Sequence, residues 1–425
     1  MGGTTKIILG SIADFRNGVN FNKENFGSGI KVINVKDFQN YFAPRFDELS
    51  EINPDGVVPD ASLLHENDVV FVRSNGNREL IGRSLFIVSE PIEPITHSAF
   101  TIRVRFNTEL VFPRFYAYLF RSNLIRNVLS SYGGGTNISN LNQGILSKLE
   151  VPLPPLETQR RIAAILSAYD DLIENNTRRI TALEQAAHDL YREWFVHFRF
   201  PGHESVEMVD SGTDYGMIPH GWGVQSVDDS FDILGGGTPS TKKPEYWEDG
   251  DIVWFSPSDL TAAGSMFIRD SSRHINELGL QKSSAKIFPP YSVMMTSRAT
   301  LGVTAINSVP ACTNQGFITC IPNEKVSAYQ IYFWVAENLE KIISVASGAT
   351  FKEINKTTFR QFPFLIADSD VTNRFEEMVS PMGEQVENLL DRNNALREAR
   401  DLLLPRLVSG QLDVSDVEVG HSEDV

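Results

Sequence analysis

Apolar residues recur in alternating steps of four and three in two separate stretches of the chain. The first series covers residues 162–194 and the second covers residues 375–407, so each extends over more than four heptads. A heptad series of that length is typical of a coiled coil. Asn176 and Asn393 interrupt the two series as polar positions of the kind that fix the register between helices. The pattern predicts two long helices, each on the order of 55 Å, that pair antiparallel.

The two series belong to a long internal repeat. Asn142 in the first half matches Asn355 in the second, an offset of 213 residues, and the same offset pairs Gly135 with Gly348. The match continues without a gap through both heptad series. Self-similarity at one long period indicates a tandem duplication.

Upstream of these stretches the two halves are less alike. Residues 31–37 resemble residues 252–259, and residues 68–74 resemble residues 291–298. Short β-rich runs broken by Gly, Pro and Asn predict strands there. A duplication that has diverged in one part only predicts two variable domains on a shared helical framework. The predicted fold class is α+β, with two pseudo-repeated α/β domains separated by two long helices that form an antiparallel coiled coil.

The same patterns give expected boundaries along the chain. Pro381 and Pro405 are expected to trim or kink the second helix. The expected segments are a first α/β domain at 1–154, the first long helix at 155–200, a linker at 201–218, a second α/β domain at 219–366, the second long helix at 367–411 and an acidic tail at 412–425.

The net charge of −16 argues at first against a nucleic-acid partner. Half of that excess lies in residues 369–425, which hold 5 Lys and Arg against 13 Asp and Glu. Because DNA affinity depends on local contacts to phosphates, the acidic C-terminal region leaves DNA binding open. Cys312 and Cys320 lack zinc-ligand spacing, which fits a reducing cytoplasm without disulfides or structural zinc. No membrane span or signal peptide is expected from the hydropathy pattern.

Catalytic motifs are weak in this sequence. Residues 288–291, Phe-Pro-Pro-Tyr, resemble the loop of an adenine methyltransferase but place Phe where an amide or carboxylate acceptor is needed. The glycine runs 133–135 and 235–237 lack the Lys-Ser/Thr of a phosphate-binding loop. We therefore expect a chain that is not itself an enzyme and has no metal site.

Taken together, these features resemble the specificity subunits of type I restriction–modification systems over nearly the whole chain. Residues 151–162, Val-Pro-Leu-Pro-Pro-Leu-Glu-Thr-Gln-Arg-Arg-Ile, and the helix ends at 183–195 and 396–410 carry the resemblance. The second copy, Phe362-Pro-Phe-Leu-Ile366, keeps one proline and lacks the Glu-x-Gln. The resemblance implies two target-recognition domains, each recognising one half of a split double-stranded DNA site. It also implies two methyltransferase subunits bound along the helices and motor-nuclease subunits beside them. S-adenosylmethionine, and ATP with Mg for restriction, would then bind to those partners, and this chain would hold no cofactor.

Arg and amide side chains on loops are the candidate DNA contacts, because Arg can pair bidentately with guanine and Asn or Gln with adenine. A solvated turn or a structural loop remains an alternative for each of them. In the first half the candidates are Arg73, Ser74, Asn75, Asn77, Arg78, Gly134, Thr136 and Asn137. In the second half they are Thr238, Lys242, Lys243, Ser297, Arg298, Thr300, Thr350 and Lys352.

Two other functional classes stay open on the sequence alone. The chain could be a coiled-coil scaffold whose two domains bind proteins, or it could be an enzyme in its own right. Salt-dependent, sequence-specific DNA binding by the assembled complex would separate recognition of DNA from a scaffold role. Activity of the purified chain alone would identify an enzyme.

Overall fold

The computed structural model describes residues 5–38, 41–76, 80–132, 140–298, 300–348 and 352–417. The chain divides into two compact units, and each is described by itself. Unit 1 comprises residues 1–174 together with 393–425, and unit 2 comprises residues 175–392.

Unit 1 contains nine strands and three short helices in its described N-terminal part. The strands are β1 (Lys6–Ile8), β2 (Ala13–Asn17), β3 (Phe26–Ile33), β4 (Ser50–Ile52), β5 (Val69–Val72), β6 (Ser84–Phe86), β7 (Ile95–His97), β8 (Thr101–Phe106) and β9 (Glu150–Pro152). The helices are α1 (Pro113–Arg121), α2 (Asn123–Tyr132) and α3 (Gln143–Ser147). Two long helices, α4 (Leu156–Tyr191) and α11 (Ser369–Val408), are shared with unit 2.

A four-stranded sheet in the order β2-β8-β5-β6 is the central layer of unit 1. One face, with Phe71 and Val104, packs in a core with residues of α1, α4 and α11. The other face, with Val70 and Val72, packs in a core with residues of a second sheet, β4-β3-β7, in which β3 and β7 are parallel. Because both faces are covered, β5 is a continuous apolar run with every residue buried.

Unit 2 repeats this order with additions. Its strands are β10 (Met208–Asp210), β11 (Met217–Pro219), β12 (Gly223–Ser226), β13 (Asp232–Gly235), β14 (Ile252–Phe255), β15 (Phe267–Ile268), β16 (His274–Ile275), β17 (Val293–Thr296), β18 (Thr304–Asn307), β19 (Ala311–Thr313), β20 (Phe317–Ile321) and β21 (Pro363–Ile366). Its helices are α5 (Val227–Ser230), α6 (Pro257–Ala263), α7 (Glu277–Gln281), α8 (Ala328–Glu337), α9 (Leu339–Ser344) and α10 (Lys356–Arg360).

The sheets of the two units correspond strand by strand. The sheet β13-β20-β17-β18-β15 matches β2-β8-β5-β6 with one added strand, and β16-β14-β19 matches β4-β3-β7. Helix caps match as well: Asn142 accepts from the Ile145 N–H before α3 (3.0 Å), and Asn355 accepts from the Thr358 N–H before α10 (2.8 Å). These two asparagines stand at the 213-residue offset, so the repeat seen in the sequence is a repeat of structure.

A buried glutamine in the first turn of α4 follows the proline-rich stretch. Gln159 is fully buried, and its side-chain amide donates to the carbonyls of Leu110 (3.0 Å) and Pro154 (2.8 Å). Its carbonyl oxygen accepts from the Phe112 N–H (2.8 Å). Thr372, also buried, stands at the equivalent place in α11 and is contacted by Gln330. The start of α4 is therefore fixed to its own α/β layer by one amide side chain.

The long helices pair antiparallel in unit 1. Arg400 of α11 forms an ion pair with Asp170 of α4, and the Asn393 side-chain amide lies 3.4 Å from the Ile173 carbonyl oxygen. In unit 2 the rings of Phe195 and Phe375 lie 5.0 Å apart. The predicted fold class is confirmed.

Three details differ from the sequence-based expectations. Residues 201–218, expected as a linker, contain a 3-10 turn at His203–Ser205 and the antiparallel pair β10–β11. This pair is part of the fold of unit 2, because Val209 and Ile218 pack in the main core of that unit. Helix α4 ends before residue 200: a π-helical turn follows at Arg192–Val196, and Phe198 adopts a positive φ of 58°. Helix α11 runs through Pro381 and Pro405, so of the two expected effects, a trim or a kink, the trim does not occur.

Candidate DNA interface

In unit 1, four chain segments meet at one end of the central sheet. The Val19 N–H donates to the His97 carbonyl (2.8 Å), which joins the segment after β2 to the end of β7. The Arg73 N–H donates to the Phe100 carbonyl (2.8 Å), and the Leu141 N–H donates to the Arg73 carbonyl (2.9 Å). We call residues 18–20, 73–76, 98–100 and 140–142 the first loop edge.

Unit 2 builds the same edge with the same bonds. The Gly237 N–H donates to the Thr313 carbonyl (2.8 Å), the Ser297 N–H to the Gly316 carbonyl (2.8 Å) and the Ile354 N–H to the Ser297 carbonyl (3.0 Å). We call residues 236–238, 297–298, 314–316 and 352–355 the second loop edge. The backbone framework is shared, whereas the side chains it presents differ.

One glycine in each edge is required by the close approach of two segments. A β-carbon on Gly18 would overlap the carbonyl oxygens of His97 and Ser98, and one on Gly236 would overlap those of Thr313 and Asn314. Only glycine allows the strand that precedes the edge to reach its neighbour. The residue two positions further on is exposed in both units: Asn20 in unit 1 and Thr238 in unit 2.

Of the candidates in the first half, Arg73, Ser74 and Asn75 lie in the first loop edge. Arg73 is half-buried, and its guanidinium lies 3.5 Å from the Ala99 carbonyl oxygen. The remaining candidates of this half lie outside the described residues, namely Asn77, Arg78, Gly134, Thr136 and Asn137.

In the second half, the structure brings Thr238, Ser297, Arg298 and Lys352 together at the second loop edge. The Thr238 hydroxyl donates to the Gln315 side chain, and Arg298 is half-buried and forms a backbone bridge with Glu353. Ser297 is buried, so it contributes mainly through its backbone. Lys352 is exposed beside Glu353.

The other three candidates of this half differ in position. Thr300 is exposed on the loop that follows Arg298, and its carbonyl accepts from the Thr296 hydroxyl. Lys242 and Lys243 lie in the turn before Pro244, and the Lys243 amine is directed towards Glu245 (3.8 Å) and the Tyr246 ring (5.2 Å). Thr350 lies outside the described residues.

Asn20, Phe100 and Gln315 are among the exposed edge residues that no sequence pattern indicated. Each belongs to a segment joined to the rest of its edge only by bonds between residues distant in the sequence. The Gly18/Gly236 equivalence would have indicated Asn20 and Thr238 as one position, because both residues stand two places after the glycine.

Electrostatics beneath the first edge are set by burial. His97 is fully buried, and desolvation, with the charges of Arg103 and Arg16, lowers the pKa of its imidazole to about 3. Its Nδ1 atom is 2.8 Å from the Thr101 hydroxyl oxygen. Arg105 forms a two-point ion pair with buried Asp68, with both contacts at 2.7 Å. These buried groups stabilise the packing beneath the first loop edge. Arg73 is the positively charged side chain at the edge itself.

The chemistry available at both edges is recognition. Guanidinium, amide and hydroxyl groups at both edges can hydrogen-bond to base edges, and the Phe100 ring at the first edge can pack against them. Among the described residues no group of three His, Cys, Asp or Glu side chains could hold a metal ion. Phe288 of the Phe-Pro-Pro-Tyr stretch is buried in a core, and the Tyr291 hydroxyl donates to Glu387 (2.9 Å). None of the helices in the described chain is long and apolar enough to cross a membrane.

A duplicated α/β unit that presents a variable loop edge on a shared backbone defines a protein class built for modular recognition. The family model for the type I restriction modification DNA specificity domain matches residues 3–185 and 219–370, and the chain belongs to this family. The two matched segments contain the two loop edges.

Two relatives identified by sequence agree with this assignment. The chain is 28% identical over 305 residues to the type I restriction enzyme MjaIX specificity subunit of Methanocaldococcus jannaschii, which covers 71% of this chain and 69% of the relative. It is 25% identical over 392 residues to the HindI specificity subunit of Haemophilus influenzae, which covers 78% and 84% respectively. A solved structure of the S subunit from M. genitalium aligns over 95% of both chains with a TM-score of 0.49 and 15% identity.

Proposed function

We propose that this chain is the specificity subunit of a type I restriction–modification complex, in which each unit recognises one half of a split DNA site. The observation that carries the proposal is the pair of loop edges. Their backbones make the same hydrogen bonds, whereas Arg73, Phe100 and Asn20 in unit 1 are replaced by Ser297, Gly316 and Thr238 in unit 2. A constant framework with different side chains is what two independent half-site specificities require.

The partners supply the chemistry in this proposal. Two methyltransferase subunits with S-adenosylmethionine transfer the methyl group to adenine, and motor-nuclease subunits with ATP and Mg cut DNA. The chain itself is non-catalytic, holds no cofactor and works in the cytoplasm. The edge residues act as DNA contacts: Arg73 and Arg298 towards bases, Lys352 towards a phosphate, and Ser74, Asn75 and Thr238 towards polar groups of either kind. Thr300, on the loop that follows Arg298, contacts polar groups in the same way.

The proposal is tested on the complex assembled with its methyltransferase partner. Methylome sequencing of a host that carries the complex gives the target, and binding is then measured over a salt series. Arg73→Ala and Arg298→Ala are each expected to relax discrimination in one half-site only, by about 5- to 150-fold, since a bidentate Arg contributes roughly 1–3 kcal/mol.

Arg45→Ala and Arg360→Ala are the matched controls, because both side chains are surface cations paired with a nearby carboxylate. They are expected to leave discrimination unchanged. A complex that shows no sequence preference in DNA binding would reject the proposal in favour of a scaffold that binds proteins.

A further inference from the structure

Phe100 is an exposed aromatic ring at the tip of the turn between β7 and β8. It is 59% exposed, although the strands on either side of the turn are buried. A large apolar side chain in water gains nothing for folding, since burial is what makes such a residue stabilising. Phe100 lies in the first loop edge, where the backbone N–H of Arg73 donates to the Phe100 carbonyl. Asn20 is exposed along the same edge.

The turn that carries Phe100 is rigid. The Ser98 N–H donates to the Ile33 carbonyl (3.0 Å), the Ala99 N–H to the Val19 carbonyl (2.8 Å) and the Thr101 N–H to the Ser98 carbonyl (2.9 Å). The Thr101 hydroxyl also donates to the Ser98 carbonyl (2.7 Å). The ring is thus held out from a fixed backbone, so little ordering would oppose its contact with a ligand.

Among the described residues of the second loop edge, no ring takes the place of Phe100. Gly316 takes the equivalent position, is buried, and lies under Arg298: a β-carbon there would be 3.3 Å from the Arg298 Nε atom. The same β-carbon would be 3.0 Å from Asn314 Oδ1, so a side chain at position 316 would require Asn314 and Arg298 to shift by a few tenths of an ångström. Within the described part of the two loop edges, the apolar side chain at this position therefore belongs to unit 1 alone.

We propose that Phe100 packs against the C5-methyl group of a thymine in the half-site recognised by unit 1, and so selects thymine at one position. This inference rests on the proposed function of the chain. Asn and Arg side chains match the hydrogen-bonding groups of base edges, whereas the thymine methyl is the apolar group that the major groove presents. An exposed aromatic ring on the same loop edge as an amide and a guanidinium matches a base pair that carries that methyl beside its polar groups.

The test replaces single thymines of the methylome-defined target with deoxyuridine, which lacks only the methyl group. For the wild-type complex, one replacement in the first half-site is expected to weaken binding by about three- to ten-fold, the order expected for one buried methyl in a complementary contact. The Phe100→Ala complex is expected to bind the thymine target more weakly than the wild-type complex by the same factor. Replacing thymine with deoxyuridine is expected to weaken its binding no further. Deoxyuridine in the second half-site is expected to have no such Phe100-dependent effect.

Leu110→Ala is the matched control, because Leu110 is also 59% exposed and follows the opposite end of β8. It is expected to bind both DNAs as the wild type does. Unchanged binding by Phe100→Ala, deoxyuridine sensitivity that persists in that variant, or a first half-site in which no single deoxyuridine replacement weakens binding would each overturn the inference. In all three cases sequence-specific binding by the wild-type complex would still support the proposed function, whereas its absence would reject both.

Discussion

His97 lies beneath the first loop edge with an uncharged imidazole. Its backbone carbonyl accepts from the Val19 N–H, and its Nδ1 atom contacts the hydroxyl of Thr101 in the turn that carries Phe100. Its Nε2 atom has no hydrogen-bond partner among the described residues. Unit 2 places Thr313 at the equivalent position, so a smaller neutral residue is compatible with this framework.

Replacing His97 by that residue is expected to change how the stability of unit 1 depends on pH. The folded-state pKa of about 3 lies below the ordinary value of 6.5, so the unfolded chain binds the additional proton as the pH falls. The neutral imidazole therefore contributes its full stabilisation to unit 1 above pH 6.5, and this contribution declines as the pH falls towards 3. Between pH 7 and pH 5, this one group lowers the free energy of unfolding by about 2 kcal/mol.

His97→Thr should lose less stability over that pH range than the wild type, although it starts lower at pH 7 because of the cavity. Hydrogen exchange of the β7 and β8 amides measures the opening of unit 1 by itself. Equal pH dependence in the two proteins would mean that His97 is already charged when folded.

Among edge residues, the sequence indicates those that directly follow a buried strand. Arg73 and Ser297–Arg298 were found in this way, since each follows a strand of four buried residues. Asn20 and Gln315 were missed because only hydrogen bonds between distant segments bring them to an edge. No local pattern marks such a residue.

At the scale of whole elements, the heptad seams predicted both long helices. The heptad pattern did not predict that α11 would continue through its two prolines. Proline usually disfavours a helix interior. The pair β10–β11 was missed because two three-residue strands carry little periodicity, and burial of Val209 and Ile218 decides their structure.

The buried ion pair between α4 and α11 gives a test of their pairing in unit 1. Arg400 and Asp170 expose only 14% and 17% of their side chains, and the Tyr118 hydroxyl donates to Asp170 (2.7 Å). Arg400→Met is expected to destabilise unit 1 by about 3–5 kcal/mol, because it leaves a buried carboxylate without its cation.

Asp170→Asn combined with Arg400→Met should recover most of that loss, because the amide is neutral and still accepts from Tyr118. Arg406→Met is the control on the same helix, since Arg406 is exposed and its loss should cost under about 0.5 kcal/mol. Denaturant titrations that show equal losses for the single and double variants would refute a charge-based role for this pair.

For the whole molecule, the described ends of the chain both belong to unit 1. Strand β1 pairs with β9 just before α4, and Val414 is buried in the core of unit 1. Arg161, in the first turns of α4, donates to the carbonyls of Val414 (3.4 Å) and Ser415 (2.5 Å). Unit 2 is one continuous segment, 175–392.

A circular permutant should therefore fold and recognise the same DNA site. Residue 417 would be joined to residue 5 by about 20 Gly and Ser residues, which reach roughly 25 Å as a flexible chain. New ends would open between Gly212 and Thr213, which are exposed in the loop between β10 and β11. Methylome sequencing should return the wild-type target, whereas a changed or absent methylation pattern would show that the order of segments matters for recognition.

The burial of the C-terminal segment in unit 1 also sets an order of events at the ribosome. Unit 2 is complete once residue 392 has emerged, whereas the core of unit 1 still lacks Leu404, Leu407, Val408 and Val414. At roughly 5–20 residues per second, synthesis from residue 392 to Val414 takes on the order of seconds. The unit whose synthesis starts first is thus the last to close, and a chain terminated before Leu404 would carry a finished unit 2 and an apolar surface that invites chaperones or aggregation.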